Sequence, residues 1–189
     1  MQKLKELEGK KVLTGDGKLA GEVNDFTYRV NNIERIVIKM NKDILEDIGE
    51  DKPLLSSVKR GLAIGEIKAF SDNVILHEDL DDLHLDFEEV SEEDLVSSLR
   101  GMKINDSGGR DVGKVTDILI DIENWSPPSL LVKLNKDILE TLDVEGSLLS
   151  KTELAISMTH VDEISDWIIL DKSADQMGEI IEKEPVKKV

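Results

Sequence analysis

Two aspartates offer the first chemistry in this sequence. Asp25 and Asp117 occupy matching places in two similar stretches, GEVNDF and GKVTDI. Two carboxyl groups with different pKa values can act as general acid and general base. A residue that recurs in a repeat is better explained by scaffold geometry, since Asp accepts backbone hydrogen bonds at turns and bulges. We therefore interpret both as structural and predict no catalytic residue and no enzyme.

Metal and nucleophilic chemistry have weaker signals. His77 and His84 flank the acidic run EDLDDL, and two imidazoles with carboxylates can bind zinc. Their spacing matches no zinc motif and neither recurs, so a solvated acidic surface with no metal and no cofactor is the better interpretation. The chain has no Cys and no G-x-S-x-G motif. The glycines of NDSGGRDVG lie in a turn rather than between a strand and a long helix.

The net charge of −17 argues against direct nucleic-acid binding. Contacts to phosphates need Lys and Arg, and the six aromatic residues leave little for stacking under bases. No apolar run of about 18 residues is present, and the N-terminal residues lack the apolar region of a signal peptide. These features predict a cytoplasmic protein with no transmembrane segment.

The sequence contains an internal repeat. NKDILE occurs at 41–46 and again at 135–140. The glycines of the first copy recur 92 positions later, and after a loop insertion the offset becomes 94; the matching glycines are Gly9, Gly17 and Gly21 with Gly101, Gly109 and Gly113. We predict a tandem duplication with domain 1 at 4–80, an acidic connecting segment at 81–97, domain 2 at 98–173 and a C-terminal tail at 174–189. The tail has no evident counterpart in the first copy.

The pattern of each copy predicts several short strands and one short helix. Gly/Asp turns separate two extended runs, which indicates a hairpin. Val23 and Val115 are out of phase with the alternating apolar residues that follow, so we predict a β-bulge beside Asp25 and beside Asp117. Asn41 and Asn135 are suitable helix N-caps. The fold class is therefore mainly β, as two tandem small β-barrels, each with one short helix.

These motifs, in this order, resemble the PRC-barrel family. The first copy reads LEGKKV, then TGDGKLAGEVNDF, and ends SDNVIL; the second reads LRGMKINDSGGRDVGKVTDILID and ends SDWIIL. The family includes the cytoplasmic domain of the photosynthetic reaction-centre H subunit, a domain of the bacterial ribosome maturation factor and stand-alone archaeal proteins, some implicated in cell division. The cysteine-free tandem chain is most similar to the archaeal members. The resemblance implies a β-barrel that binds proteins rather than a catalyst.

Two segments are candidate partner-binding sites. The insertion ENWSPPS carries Trp125 between acids and the stiffening Pro127 and Pro128, and an exposed Trp on a rigid loop is a typical interface anchor. The alternative is that Trp125 folds back onto its own or the neighbouring unit. In the tail, Ile180 and Ile181 are suited to docking on a partner, or the tail has no role. Trp167, before the last strand, is expected to pack against a barrel.

The predicted function is a non-enzymatic protein–protein interaction adaptor. Resemblance to archaeal members implies the cell-division apparatus, with a membrane-anchored division-ring component as partner and recruitment to membrane-associated assemblies. Self-assembly into a homo-oligomer is compatible with the duplication. The alternative is a ribosome-assembly or RNA-metabolism factor that acts through a basic ribosomal protein, which suits the acidic charge.

Overall fold

The computed structural model describes residues 1–29, 32–40, 42–47, 58–83, 87–142 and 153–182. These residues form short strands and short helices. The strands are β1 Gln2–Lys3, β2 Lys11–Leu13, β3 Leu19–Arg29, β4 Asn32–Met40, β5 Val58–Ala63, β6 Ile67–Phe70, β7 Val74–Leu76, β8 Lys103–Asn105, β9 Asp111–Ile120, β10 Ser129–Leu134, β11 Glu153–Ser157, β12 Val161–Ile164, β13 Ile168–Leu170 and β14 Ile181–Glu182. The α-helices are α1 Leu4–Leu7, α2 Lys42–Asp47, α3 Leu80–Leu83, α4 Lys136–Thr141 and α5 Met177–Ile180. Among the described residues, no helix is long and apolar enough to cross a membrane.

The chain forms two compact units. The N-terminal unit consists of Leu4–Ser98 and Ile122–Trp125. The C-terminal unit consists of Met1–Lys3 and the chain from Leu99 onward without that insert. Residues 81–97, predicted as a connecting segment, therefore group with the N-terminal unit in this division.

Each unit contains one sheet, and the two sheets share a strand order. The N-terminal order is β5-β4-β3-β2-β7-β6. Given in the same direction, the C-terminal order is β14-β11-β10-β9-β8-β13-β12, which is the same order with β14 added at one edge. Neighbouring strands are antiparallel except β2 with β7 and β8 with β13. In the C-terminal unit β1 also pairs with the end of β9. The protein is mainly β, as predicted.

The predicted barrels are not closed in the described part of the chain. Strands β5 and β6 lie at opposite ends of the N-terminal sheet but are consecutive in sequence, joined by a 3₁₀ turn at Ile64–Glu66. Strands β11 and β12 are joined in the same way by Met158–His160. In each case the two strands follow one another through the turn but do not pair with each other along their length. No hydrogen-bonded ladder therefore closes either sheet into a barrel in the described residues.

The predicted bulges are confirmed. Val23 pairs with Ile38 and Asp25 with Val37, so Asn24 is the extra residue of β3. The register of β9 on β10 shifts in the same way and leaves Thr116 as the extra residue. Side chains alternate between the two faces of a strand, and one extra residue reverses that alternation. The bulge therefore lets Val23 or Val115 point into the core together with the apolar residues that follow it.

The glycines before the bulges are required by close backbone contacts. A Cβ on Gly21 would clash with the Lys39 carbonyl, and one on Gly113 would clash with the Lys133 carbonyl. These contacts explain why glycine recurs at this place in both copies.

Both cores are aliphatic, and Phe26 is the aromatic side chain fully buried in the described residues. The apolar faces predicted for α2 and α4 are buried, with Ile44, Leu45, Ile138 and Leu139 inside. Asn135 lies at the predicted N-cap position of α4, but the predicted side-chain hydrogen bond is absent: the side chain is oriented toward Asp111, and its Nδ2 donates to the backbone and side-chain oxygens of that residue. Asn41 lies outside the described residues.

A segment after the last strand of each copy covers a sheet edge. Gly61 on β5 exchanges two backbone hydrogen bonds with Glu88, of 2.8 and 2.9 Å. Strand β14 pairs with β11 in the same position, with Ala155 opposite Glu182. Ala155 and Glu182 lie 94 positions after Gly61 and Glu88, which is the offset between the two copies. The start of the tail therefore has a counterpart in the first copy, contrary to our expectation. Covering an edge strand prevents pairing with other chains.

Asp106 fixes the start of this covering segment in the C-terminal unit. One carboxylate oxygen accepts hydrogen bonds from the backbone N–H groups of Gly108 and Arg110, at 2.9 and 2.8 Å. The other accepts from Ala174 N at 2.8 Å. Burial of the carboxyl opposes ionisation, but these backbone donors outweigh it and hold the pKa of Asp106 below its ordinary value.

Replacing Asp106 by Asn is expected to lower the free energy of unfolding by about 2 kcal/mol at pH 7, because an amide NH₂ cannot accept the Ala174 N–H. The native pKa is depressed, so this stabilisation is present above the unfolded value of about 4 and is lost as the pH falls through the native value. Urea denaturation followed by circular dichroism between pH 3 and 7 measures it. The control Asp162→Asn, at an exposed position, should have little effect; equal losses in both variants would contradict the anchoring role.

Candidate functional site

The recurring aspartates lie at the bulges and are 2% exposed. Asp25 Oδ1 accepts hydrogen bonds from Phe26 N at 2.8 Å and from Ser97 N at 3.3 Å. Asp117 Oδ1 accepts from Ile118 N at 3.0 Å and from Nε and Nη2 of Arg100 at 3.1 and 3.0 Å. Each carboxylate thus binds the N–H of the next residue, which is a structural use of the side chain at a bulge.

The two carboxylates differ in their electrostatic surroundings. Burial raises the pKa of Asp25, against the opposing effect of hydrogen bonds from Ser97 and Phe26. Asp117 instead faces the guanidinium of Arg100, with an N–O distance of 3.0 Å. One copy therefore holds this carboxylate with a cation and the other with neutral donors.

The histidines form no metal site in the part of the chain that the structure describes. His77 is exposed, and His160 Nδ1 lies 3.4 Å from Asp171 Oδ1. No three His, Asp or Glu side chains among the described residues are close enough to share a metal ion. His84 is outside those residues.

Trp125 packs in an aromatic cluster of the N-terminal unit. Its ring centroid lies 6.0 Å from that of Phe26 and 6.1 Å from that of Phe70. The side chain is half-buried, and the backbone φ of +53° is a left-handed conformation that a bulky residue rarely adopts. This geometry corresponds to the alternative in which Trp125 folds back, while partner binding by its remaining exposed surface stays a prediction.

The other predicted site residues are largely covered. In the C-terminal unit Pro128 is buried and Pro127 half-buried. Ile180 is 4% exposed on α5, and Ile181 pairs with Ile156 through β14. Binding of a partner through these isoleucines stays a prediction and requires β14 to leave the edge of its sheet.

Trp167 is exposed, and the expectation that it packs against a barrel is wrong. It is 45% exposed at the turn between β12 and β13, where Ser165 N donates to the Trp167 carbonyl at 3.0 Å. Among the described residues only Met1 and Leu19 are other large apolar side chains with comparable exposure. Asn73 holds the equivalent place in the first copy, and the fact that a polar turn residue suffices there could have indicated that Trp167 is exposed too.

Acidic side chains surround this turn. Asp162, Glu163 and Asp166 are exposed on β12 and its turn. Strand β12 ends the sheet and pairs only with β13 among the described strands. An edge strand with charged side chains resists pairing with other strands, so a partner would contact the Trp167 indole rather than extend the ladder.

We expect opposite effects when the two aspartates are changed to Asn. Asp25→Asn should raise the free energy of unfolding by about 1 kcal/mol at pH 7, because it removes a buried charge and keeps an oxygen for Phe26 N and Ser97 N. Asp117→Asn should lower it by about 2 kcal/mol, because the partly exposed guanidinium of Arg100 loses the buried Asp117 carboxylate.

The gain from Asp25→Asn depends on pH in a defined direction. The native pKa of Asp25 is raised, so the wild-type protein gains stability as the pH falls and this carboxyl is protonated. The difference between the variant and the wild type should therefore shrink on acidification. Urea titrations at several pH values measure it, and destabilisation of equal size by both substitutions at pH 7 would contradict the assignment.

The family model of the PRC-barrel domain matches residues 91–177, a range that contains β8 to β13 and extends to the start of α5. No curated protein matches the chain. The order of strands in the matched range is the one described above for the C-terminal sheet. A PRC-barrel domain is found at residues 91–177.

Proposed function

We propose that the chain is a tandem duplication of a PRC-type unit and that it acts as a non-enzymatic adaptor, binding another protein. The shared strand order, the recurring glycines and the recurring bulges support the duplication. Two linked binding units raise the effective concentration for a repeated or dimeric partner.

The exposed Trp167 is the observation that carries this proposal. Burying an indole in a partner's pocket contributes strongly to binding, and Trp is enriched among residues that dominate interface energetics. Because the side chain lies at a hairpin turn outside the core, its exposure is not explained by the packing of the unit.

The resemblance to archaeal family members suggests the cell-division apparatus as the setting. In this version the adaptor binds a membrane-anchored division-ring component and is recruited from the cytoplasm to the membrane by that partner. A second candidate is ribosome assembly through a basic ribosomal protein. The exposed acids beside Trp167 favour it, because they complement a basic surface.

A tagged pull-down from a nuclease-treated native lysate, with identification by mass spectrometry, tests the proposal. We expect Trp167→Ala to reduce recovery of the specific partner at least tenfold, at an unchanged unfolding midpoint. Division-ring proteins among the partners support the first setting, and ribosomal proteins support the second.

The matched control is Trp125→Ala. It removes contacts with Phe26 and Phe70 and should lower the free energy of unfolding of the N-terminal unit by about 2 kcal/mol, less than a fully buried aromatic would cost, because the side chain is only half-buried. Recovery of the partner at temperatures where this variant is folded would assign the binding to Trp167, and loss of recovery there would assign part of it to the exposed surface of Trp125. Unchanged recovery with Trp167→Ala would refute the role of Trp167.

A further inference from the structure

A row of exposed lysines crosses one face of the C-terminal sheet. Lys103 on β8 pairs with Lys114 on β9, and Lys114 also lies opposite Lys133 on β10. All three side chains are exposed, and the strands that carry them are about 5 Å apart. These three residues, called the lysine row below, form a compact cluster of positive charge in a chain whose net charge is −17.

The lysine row is not neutralised by acids of the same unit. Among the described residues, no carboxylate lies within ion-pair distance of its ammonium groups. Glu153 on β11 is opposite Lys133, but its carboxylate binds Nζ of Lys3 at 3.0 Å. Like charges directly opposite each other on paired strands destabilise a sheet. The lysine row therefore costs stability that its described neighbours do not offset.

The first copy has a different set of charges at the same place. Lys11 pairs with Glu22, and Glu22 lies opposite Lys39. These residues are the counterparts of the lysine row at the two offsets of the repeat, so the first copy alternates charges where the second has three lysines. Opposite charges on paired strands are favourable, which makes Glu the more stabilising residue at the middle position. A departure from the stabilising choice is expected where side chains bind a ligand.

Trp167 extends the lysine row at its β8 end. Ile168 pairs with Ile104 in the parallel ladder between β13 and β8, and both side chains are buried. Trp167 and Lys103 each precede one of these isoleucines and are exposed, so the alternation of side chains places them next to each other on the same face. The counterpart of Trp167 in the first copy is Asn73. The two exposed differences, Trp for Asn and Lys for Glu, therefore lie on one line across the sheet.

The acidic surroundings limit the size of the ligand. Exposed glutamates lie on the strands beyond both ends of this line, Glu153 on β11 and Glu163 on β12. The positive surface is thus three strands wide, roughly 10 Å. A nucleic acid or an anionic membrane would extend past it and be repelled by the acids that give the chain its net charge. A short acidic segment of a protein fits within it, and an apolar side chain of that segment can cover the Trp167 indole.

We propose that the lysine row, with Trp167 at its end, binds a short acidic segment of a protein partner. The carboxylates of the segment pair with Lys103, Lys114 and Lys133, and an apolar side chain beside them packs on the indole. The inference rests on the proposed adaptor function and deepens it, because the same Trp167 carries both. It gives the chemistry of the recognised segment, which is a few Asp or Glu residues next to an apolar one.

The test uses a labelled peptide of two leucines followed by four glutamates as the probe. The comparison peptide has glutamine in place of each glutamate. Anisotropy titrations of the full chain at an ionic strength of about 50 mM, where charges are weakly screened, measure affinity. Amide chemical shifts in ¹⁵N-labelled protein locate the bound peptide. The acidic peptide should bind roughly tenfold more tightly than the comparison, with shifts centred on the lysine row and on Trp167.

The variant Lys114→Glu separates binding from stability. It gives the second copy the charge pattern of the first, so it should weaken binding of the acidic peptide roughly tenfold. It should also raise the urea midpoint of unfolding, because opposite charges replace like charges across the sheet. The matched control is Lys68→Glu, the same change at an exposed lysine of β6, which should alter affinity less than about twofold. Trp167→Asn should weaken binding roughly threefold through loss of the indole contact.

Several results would overturn the proposal. Tighter binding of hexalysine than of the acidic peptide would assign the surface to the acids of β12. Tighter binding of oligothymidylate or of phosphatidylserine vesicles would assign the lysine row to a nucleic acid or to a membrane. Equal losses in Lys114→Glu and Lys68→Glu would indicate a general charge effect, and a lowered urea midpoint of Lys114→Glu would contradict the argument from stability.

The two proposals can fail separately. If the acidic peptide leaves the lysine row unshifted while the pull-down still recovers a Trp167-dependent partner, this inference fails and the adaptor function stands. If the peptide binds the row while the pull-down recovers no such partner, the adaptor function fails. The shift map of the wild-type protein decides the first question even when a variant does not fold.

Discussion

The close approach of two backbones in each copy is the constraint on which the rest of the sheet depends. Gly21 and Gly113 leave room for a carbonyl of the next strand, and no larger residue fits without displacing backbone. The bulge follows three residues later and turns the remainder of the long strand, with Asp25 or Asp117 binding the N–H of the residue after it. Because that strand pairs with a neighbour on each side, its path fixes the shape of the sheet and the interior that the aliphatic side chains fill.

Much of this scaffold was predictable because local rules determine it. The repeated glycines and the phase change at Val23 and Val115 pointed to turns and to bulges, and the structure has both. Features that depend on tertiary context were not predictable. Asn135 has the type and position of an N-cap, but Asp111 competes for its amide. The edge-covering segments repeat in backbone pairing rather than in side chains, so alignment of letters missed their relationship.

The candidate sites were harder to predict for a related reason. Trp125 and Trp167 are indistinguishable by residue type, and only neighbours distant in sequence, such as Phe26 and Phe70, decide which one is covered. The two copies share what the backbone requires and differ where side chains reach the surface. That pattern is expected when a duplicated scaffold acquires separate binding features.

The two units are not contiguous in sequence, and this has a consequence for the synthesis of the chain. Strand β1 at Gln2–Lys3 pairs with Leu119 and Ile120, and Ile122–Trp125 belong to the N-terminal unit. Contacts between residues so far apart in sequence form late, because closing a long loop costs entropy before any contact stabilises it. The first unit therefore cannot be completed on the ribosome until Trp125 has emerged, which at typical rates of 5 to 20 residues per second takes roughly ten seconds. During that interval the stacked rings of Phe26 and Phe70 lack the cover of Trp125, and the apolar surface that this side chain contacts stays exposed.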